Sequence, residues 1–385
     1  MAVRRLSSPL VWWAAALVGW LAYFVRLGLF AFFMLPGMLP MFLYHYRRSP
    51  QVLRGVPYGD GARRRADVFL PKGAALKDGG CPVLVFVSGG AWIIGFRGWS
   101  FLMGHVLQLN GVLCISVDYR NFPQADVPGM VDDVEAALAW AVQAAPAWGG
   151  DPARVTLVGQ SAGAQLTAVL LLRQALRLRA DAATAAPPPS AARTPGKQAI
   201  AAAGATSGPL WNPRDVIMRW VGISGPHDMH LLRREYHGRR LLPHSVMDAL
   251  VAGDLAAHCP CCLAEKLERG RGAEADGPAG ATDSWLPPIA LFHGAADRTV
   301  GPEHSRALAR ALRRAGVSVD ETIFEGKSHT DPILEDPLSG GRDQLMEALL
   351  SLLLGARHRG GAPAAALPVR VPRPLVWLAR AVNPF

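Results

Sequence analysis

Residues 155–164 read Val155-Thr156-Leu157-Val158-Gly159-Gln160-Ser161-Ala162-Gly163-Ala164: an apolar run, a serine between small residues, then the start of an Ala/Leu-rich stretch. The pattern predicts a buried strand, a tight turn at Ser161 and a helix opening at Ala164. A serine on such a turn stands clear of its neighbours, because small flanking residues let the backbone bend without clashes. Its hydroxyl then faces the unpaired N–H groups of a helix N-terminus, where developing negative charge is favoured. In a chain with 40 glycines the bare G-x-S-x-G string arises easily by chance. The strand before it and the helix after it give it meaning.

A serine nucleophile needs a base and an acid, and in a strand–turn–helix setting both follow it along the chain. The apolar strand Pro288–Phe292 leads into His293-Gly294-Ala295-Ala296-Asp297, which puts the Asp297 carboxylate just past a strand end. Glu321–Phe324 reads as another strand and leads into Glu325-Gly326-Lys327-Ser328-His329. These positions make His329 the general base and Asp297 the acid that fixes its tautomer. His293 precedes the acid and reads as a brace of the strand-end turn. Asp331 and Glu325 are rival acids, ranked below Asp297 because a residue beside the base seldom folds back to orient its ring.

Upstream, Val83–Val87 is a continuous apolar run suited to a strand buried on both faces, followed by Ser88-Gly89-Gly90-Ala91-Trp92. The amides of Gly89 and Gly90, with that of Ala162, would hold a tetrahedral oxyanion, each contributing about 3 kcal/mol if well aimed. Trp92, Ile93, Ile94, Phe96 and Trp99 follow directly and read either as the wall of an apolar groove or as core. Further strands are read at Ala66–Leu70, Val112–Val117 and Trp220–Gly225, and a helix at Val131–Val142. The alternation predicts an α/β fold with a mostly parallel sheet covered by helices on both faces.

Several strings together resemble one family. They are Ser88-Gly89-Gly90-Ala91-Trp92-Ile93-Ile94-Gly95, Asp118-Tyr119-Arg120-Asn121-Phe122-Pro123-Gln124, Gly159–Ala164, Leu291–Gly294, Gly326–Asp331 and the final Val382-Asn383-Pro384-Phe385. The chain resembles the α/β-hydrolase superfamily and, more narrowly, the plant isoprenylcysteine alpha-carbonyl methylesterases. Many related hydrolases carry His where this chain has Ser88. The resemblance implies hydrolysis of the methyl ester on a C-terminal prenylated cysteine, without metal or cofactor. It carries over Ser161, Asp297 and His329 as the triad and Gly89, Gly90, Ala91 and Ala162 as the ester-binding loop; Gln160, beside the nucleophile, joins the substrate-binding set. A broader carboxylesterase, an arylformamidase-like amidase, or a non-catalytic binding protein on this fold are the alternatives, the last opposed by the presence of His329.

With 385 residues, 50% hydrophobic and 18% charged, the chain buries one large core and has apolar residues to spare for a membrane. Its net charge of +10 is spread over many arginines, which suits an anionic lipid surface; no basic recognition motif points to nucleic acid. Residues 1–50 read as a membrane anchor. Apolar stretches from Leu10 to Val25 and Leu27 to Tyr44, separated by Arg26 and flanked by Arg4-Arg5 and Arg47-Arg48, suggest a two-span hairpin or one long tilted span, with Trp12, Trp13, Trp20 and Tyr44 at interfaces. The hairpin leaves the hydrolase domain, residues 51–358, in the cytosol, on an endoplasmic reticulum or Golgi membrane. Within it, 180–208 reads as a disordered insert and 226–268 as a cap; 359–385 forms a tail that lies on the membrane or packs on the body. The odd count of five cysteines fits a reducing compartment, and Cys259-Pro260-Cys261-Cys262 lacks the paired spacing of a structural zinc site.

Overall fold

The computed structural model describes residues 9–71, 80–184, 210–238, 244–269, 285–355 and 367–385, with side chains from residue 21 onward apart from 183–184, 237–238 and 244–246. Eight strands form one sheet in the order β1-β2-β4-β3-β5-β6-β7-β8. They are β1 (Val52–Pro57), β2 (Arg65–Phe69), β3 (Cys81–Val87), β4 (Leu113–Val117), β5 (Gly150–Gln160), β6 (Arg219–Ile223), β7 (Ile289–Gly294) and β8 (Val319–Phe324). β2 runs antiparallel to both β1 and β4, and every other neighbouring pair is parallel. Parallel strands must be covered on both faces, which is why β3, β4 and β7 are buried at every position.

Two clusters of buried side chains sit on the two faces. One joins the sheet to α3 (Val127–Ala144), α4 (Ala162–Thr184), α5 (Pro260–Arg269) and α6 (Glu303–Arg314). The other joins it to α2 (Phe101–Leu109), α7 (Gln344–Leu354) and the terminal helices α1 (Pro9–Pro40) and α8 (Arg373–Val382). α3 starts earlier than Val131 because Asp126 caps it, its carboxylate accepting the N–H of Gly129 at 3.0 Å. The chain order reverses at β3, with β4 on one side and β5 on the other. The carboxyl ends of β3 and β5 therefore open onto the crevice where such folds bind ligands.

The N-terminus departs from the hairpin expectation. α1 is one continuous helix through Arg26, followed by a π-helical turn at Met41–Arg47. Arg26 causes no break because its guanidinium donates to the carbonyls of Val382 (3.2 Å) and Asn383 (2.8 Å). The inner face of α1, with Phe30 and Met34, is buried, while Leu21, Phe24, Val25, Leu29, Phe32, Leu35 and Leu39 are exposed on the outer face. Among the described residues this is the one helix long and apolar enough to cross a membrane, with mean hydropathy 1.8 over its best window. The side chains of Trp12, Trp13 and Trp20 lie outside the described residues.

Two other expectations are refined. Residues 180–184 complete α4, and 185–208 fall outside the described residues. The segment read as a cap folds into helices at Met229–Gly238 and His244–Leu250, a 3-10 turn at Ala256–His258, and α5. Met229, Leu232, Leu263, Ala264 and Leu267 sink into the core, so much of this segment is part of the body. α8 packs on α1 and leaves Trp377 exposed.

Candidate active site

Ser161 lies between the end of β5 and the first residue of α4, with φ of 52°, a left-handed conformation that an L-residue adopts only under constraint. Its N–H donates to the carbonyl of Ile223 on β6 (2.8 Å), which pins the turn against the sheet. The constraint explains Gly163. A Cβ there would lie 2.1 Å from the carbonyl oxygen of Val87, so the turn closes against the end of β3 only without a side chain.

Three side chains expected to act together meet at this point. His329 Nε2 lies 3.0 Å from Ser161 Oγ, and His329 Nδ1 lies 2.7 Å from Asp297 Oδ2. The pattern puts the ring proton on Nδ1, donating to the carboxylate, and leaves Nε2 to accept from the serine. Asp297 Oδ1 accepts from the amides of Thr299 and Val300, both at 2.9 Å. Burial alone would push this carboxyl up, but His329 and His293 outweigh it and hold it well below the usual carboxylate range.

The rival residues take other parts. His293 Nε2 donates to the carbonyl of Val300 (2.8 Å), its Nδ1 accepts from Ser305 Oγ (2.7 Å), and the ring lies 3.3 Å from Asp297. It braces the loop that carries the acid. Asp331 accepts from the Ser328 amide (2.8 Å) and from Arg380 (2.8 Å), and Glu325 is exposed.

The glycine loop differs in detail from its expectation. The Gly89 N–H donates to Gln160 Oε1 at 3.1 Å, so in this conformation it is engaged and not open to a substrate oxygen. Gln160 thereby ties the loop to the turn at Ser161. The amides of Gly90, Ala91 and Ala162 have no acceptor among the described residues. Gly90 at φ 127° adopts a conformation open only to glycine, and Ala91 follows at φ 48°. Ser88, just ahead of the two glycines, is buried; its carbonyl accepts from the Tyr119 hydroxyl at 3.1 Å.

Of the residues read as a groove, Trp92 belongs to the core. It is 2% exposed, and its indole N–H donates to Gln165 Oε1 at 3.0 Å. Gln165 Nε2 in turn donates to the His258 carbonyl (2.7 Å), linking the ester loop through α4 to the segment before α5. Ile93, Ile94 and Trp99 are exposed, and the Trp99 indole donates to the Ile94 carbonyl (3.1 Å). Asn121 and Arg63 both donate to the Gly95 carbonyl, closing the loop from below. Tyr119 and Asn121 were visible only as part of the family-like string, because their partners lie far away in sequence. The cysteines are unpaired thiols; Cys259 accepts from the Met229 amide (3.4 Å) ahead of α5.

The arrangement can attack a carboxylic ester through a buried, base-activated hydroxyl. Residues 84–260 match the α/β hydrolase fold family. A probable isoprenylcysteine alpha-carbonyl methylesterase of Oryza sativa subsp. japonica is 34% identical over 373 residues, 95% of this chain and 78% of that protein. The isoprenylcysteine alpha-carbonyl methylesterase of Arabidopsis thaliana is 32% identical over 387 residues, 100% of this chain and 81% of that protein. Among solved structures, an esterase B from Lactobacillus rhamnosis superposes with a TM-score of 0.57 at 16% identity, covering 97% of each chain, a likeness of fold. The chain is a carboxylic ester hydrolase and belongs to the isoprenylcysteine alpha-carbonyl methylesterase family of the α/β hydrolases.

Proposed function

We propose that this enzyme hydrolyses the methyl ester of a C-terminal prenylated cysteine to the free carboxylate and methanol. Ser161 Oγ attacks the ester carbonyl while His329 Nε2 takes its proton, and Asp297 stabilises the imidazolium. The amides of Gly90, Ala91 and Ala162 receive the oxyanion; Gln160 keeps the loop in place by holding Gly89. The tetrahedral intermediate expels methanol, which leaves with the proton from His329. Water, activated by the same imidazole, then releases the carboxylate and restores Ser161.

The observation that carries the catalytic reading is the unbroken relay from Ser161 through His329 to Asp297, at 3.0 and 2.7 Å. The substrate class rests on family membership, supported by the exposed Ile93, Ile94 and Trp99 just after the glycine loop, which suit a long apolar chain. The outward apolar row of α1 supports attachment to a lipid bilayer, with the endoplasmic reticulum or Golgi as the membrane and the hydrolase body on the cytosolic side. Prenylated, methyl-esterified proteins at that surface are the partners. Comparing kcat/KM for farnesylcysteine methyl ester and an unprenylated cysteine methyl ester tests the reading. Preference for the prenylated ester by at least tenfold is expected; equal turnover would leave a general carboxylesterase.

A further inference from the structure

We propose that Asn383 is a positioning residue for His329, and that α1 holds Asn383 in place. The proposal rests on the Ser161–His329–Asp297 reading but not on the prenylated substrate.

Asn383 is buried, and its amide nitrogen faces the loop that carries the base. Nδ2 lies 3.2 Å from Ser328 Oγ, 3.0 Å from Thr330 Oγ1 and 2.7 Å from Glu335 Oε1. Ser328 and Thr330 are the immediate neighbours of His329 on either side. One amide therefore holds the side-chain hydroxyls of the residues before and after the imidazole. Thr330 Oγ1 also donates to Glu335 Oε1 (2.9 Å), so the contacts close into a network with Asn383 as a donor at its centre. The amide orientation is fixed from the other end, where Asn383 Oδ1 accepts the N–H of Phe385 at 2.8 Å.

What holds Asn383 comes from the opposite end of the chain. Arg26 on α1 binds the carbonyls of Val382 and Asn383, and the Phe385 ring meets Tyr23 and Phe30 edge-on at 6.2 and 6.1 Å between centroids. Arg380, one turn earlier on α8, adds ionic contacts at 2.8 Å to Asp331 and 2.9 Å to Asp336. The apolar N-terminal helix is thus joined to the loop of the base through Asn383, with Arg380 of α8 as a second tie by way of Asp331. Catalytic hydrogen bonds tolerate little displacement, and about 1 Å can cost on the order of a hundredfold in rate. Loss of the Asn383 donors loosens both neighbours of His329 at once, leaving Thr330 only its bond to Glu335 and Ser328 only its contacts with Asp331.

The test uses the full-length chain, a short-chain aryl ester and active sites counted by phosphonate titration, so that unfolded protein does not enter the rate. Asn383→Leu, which keeps the branching of the side chain and removes the donors, should lower kcat per titrated site by about tenfold or more with KM within twofold. Arg26→Met leaves the amide but loosens its support, and should give the same split with a fall of about threefold. The double variant should lose no more than Asn383→Leu alone, because both act through one brace. A kcat per site within twofold of the parent in Asn383→Leu would overturn the proposal, as would a change confined to KM. If Asn383→Leu yields no titratable sites, Arg26→Met decides alone, and an unchanged kcat there overturns it. Persistence of turnover in Ser161→Ala would instead remove the triad reading itself.

Discussion

At the nucleophile, backbone strain and close approach are the same fact. Ser161 holds φ 52° because Gly163 lets the turn close onto the Val87 carbonyl. Gly163→Ala should therefore force the turn open and displace Oγ from His329, lowering kcat by about a hundredfold. Measured on titrated sites, a rate within threefold of the parent would show that the turn has slack. The meeting of Ser161, His329 and Asp297 was legible in sequence because each lies just beyond a strand end, because chain order separates His329 from His293, and because Asp331 stands too close to His329 along the chain to orient its ring. The donor set was not. Gly-Gly announces open amides, but only the fold brings the Gln160 side chain onto the Gly89 N–H, and only the fold turns Trp92 inward onto Gln165. Contacts made by side chains distant in sequence leave no local periodicity to read.

Among the elements, the segment that follows the base is the most finely balanced. Glu335 sits in the π-helical turn Asp331–Glu335, buried beside Asp331. Burial and that neighbouring carboxylate push its carboxyl up to about 8, against the opposing pull of the Thr330 hydrogen bond and Arg380. A carboxyl raised on folding favours the folded state fully below its unfolded value, near 4.5, and that contribution is lost as pH rises through about 8. Each unit between is worth up to about 1.4 kcal/mol. Glu335→Gln keeps an acceptor for Asn383 and cannot ionise, so its Tm should fall less than that of the parent between pH 5 and pH 9. Parallel falls would mean that Glu335 does not ionise in this range. The elements themselves were largely readable: strands at 83–87, 112–117, 155–158 and 220–225 are all present within a few residues. α1 was the exception. Arg26 reads as a break in an apolar run, and its partners on Val382 and Asn383 lie 356 and 357 residues away.

Over the whole molecule, the chain's two ends close on one another and on the site. α1 and α8 cover the same face of the sheet as α2 and α7, so a helix with the composition of a membrane span is also a packing element of the hydrolase body. Its inner face belongs to the protein, and its outer face is apolar and exposed. Composition announced the apolar surplus but not this division, which depends on where α8 docks. The active site is likewise a property of the whole: Ser161, Asp297 and His329 are supplied by the ends of three strands and assembled by the parallel sheet. The most direct test of that convergence is reaction with a fluorophosphonate, followed by peptide mass spectrometry on the parent, His329→Ala and Asp297→Asn. The account predicts stoichiometric modification of Ser161 in the parent, and modification slowed by about a hundredfold or more without the imidazole and to a lesser degree in Asp297→Asn. Modification of another residue, or an unchanged rate in His329→Ala, would contradict it.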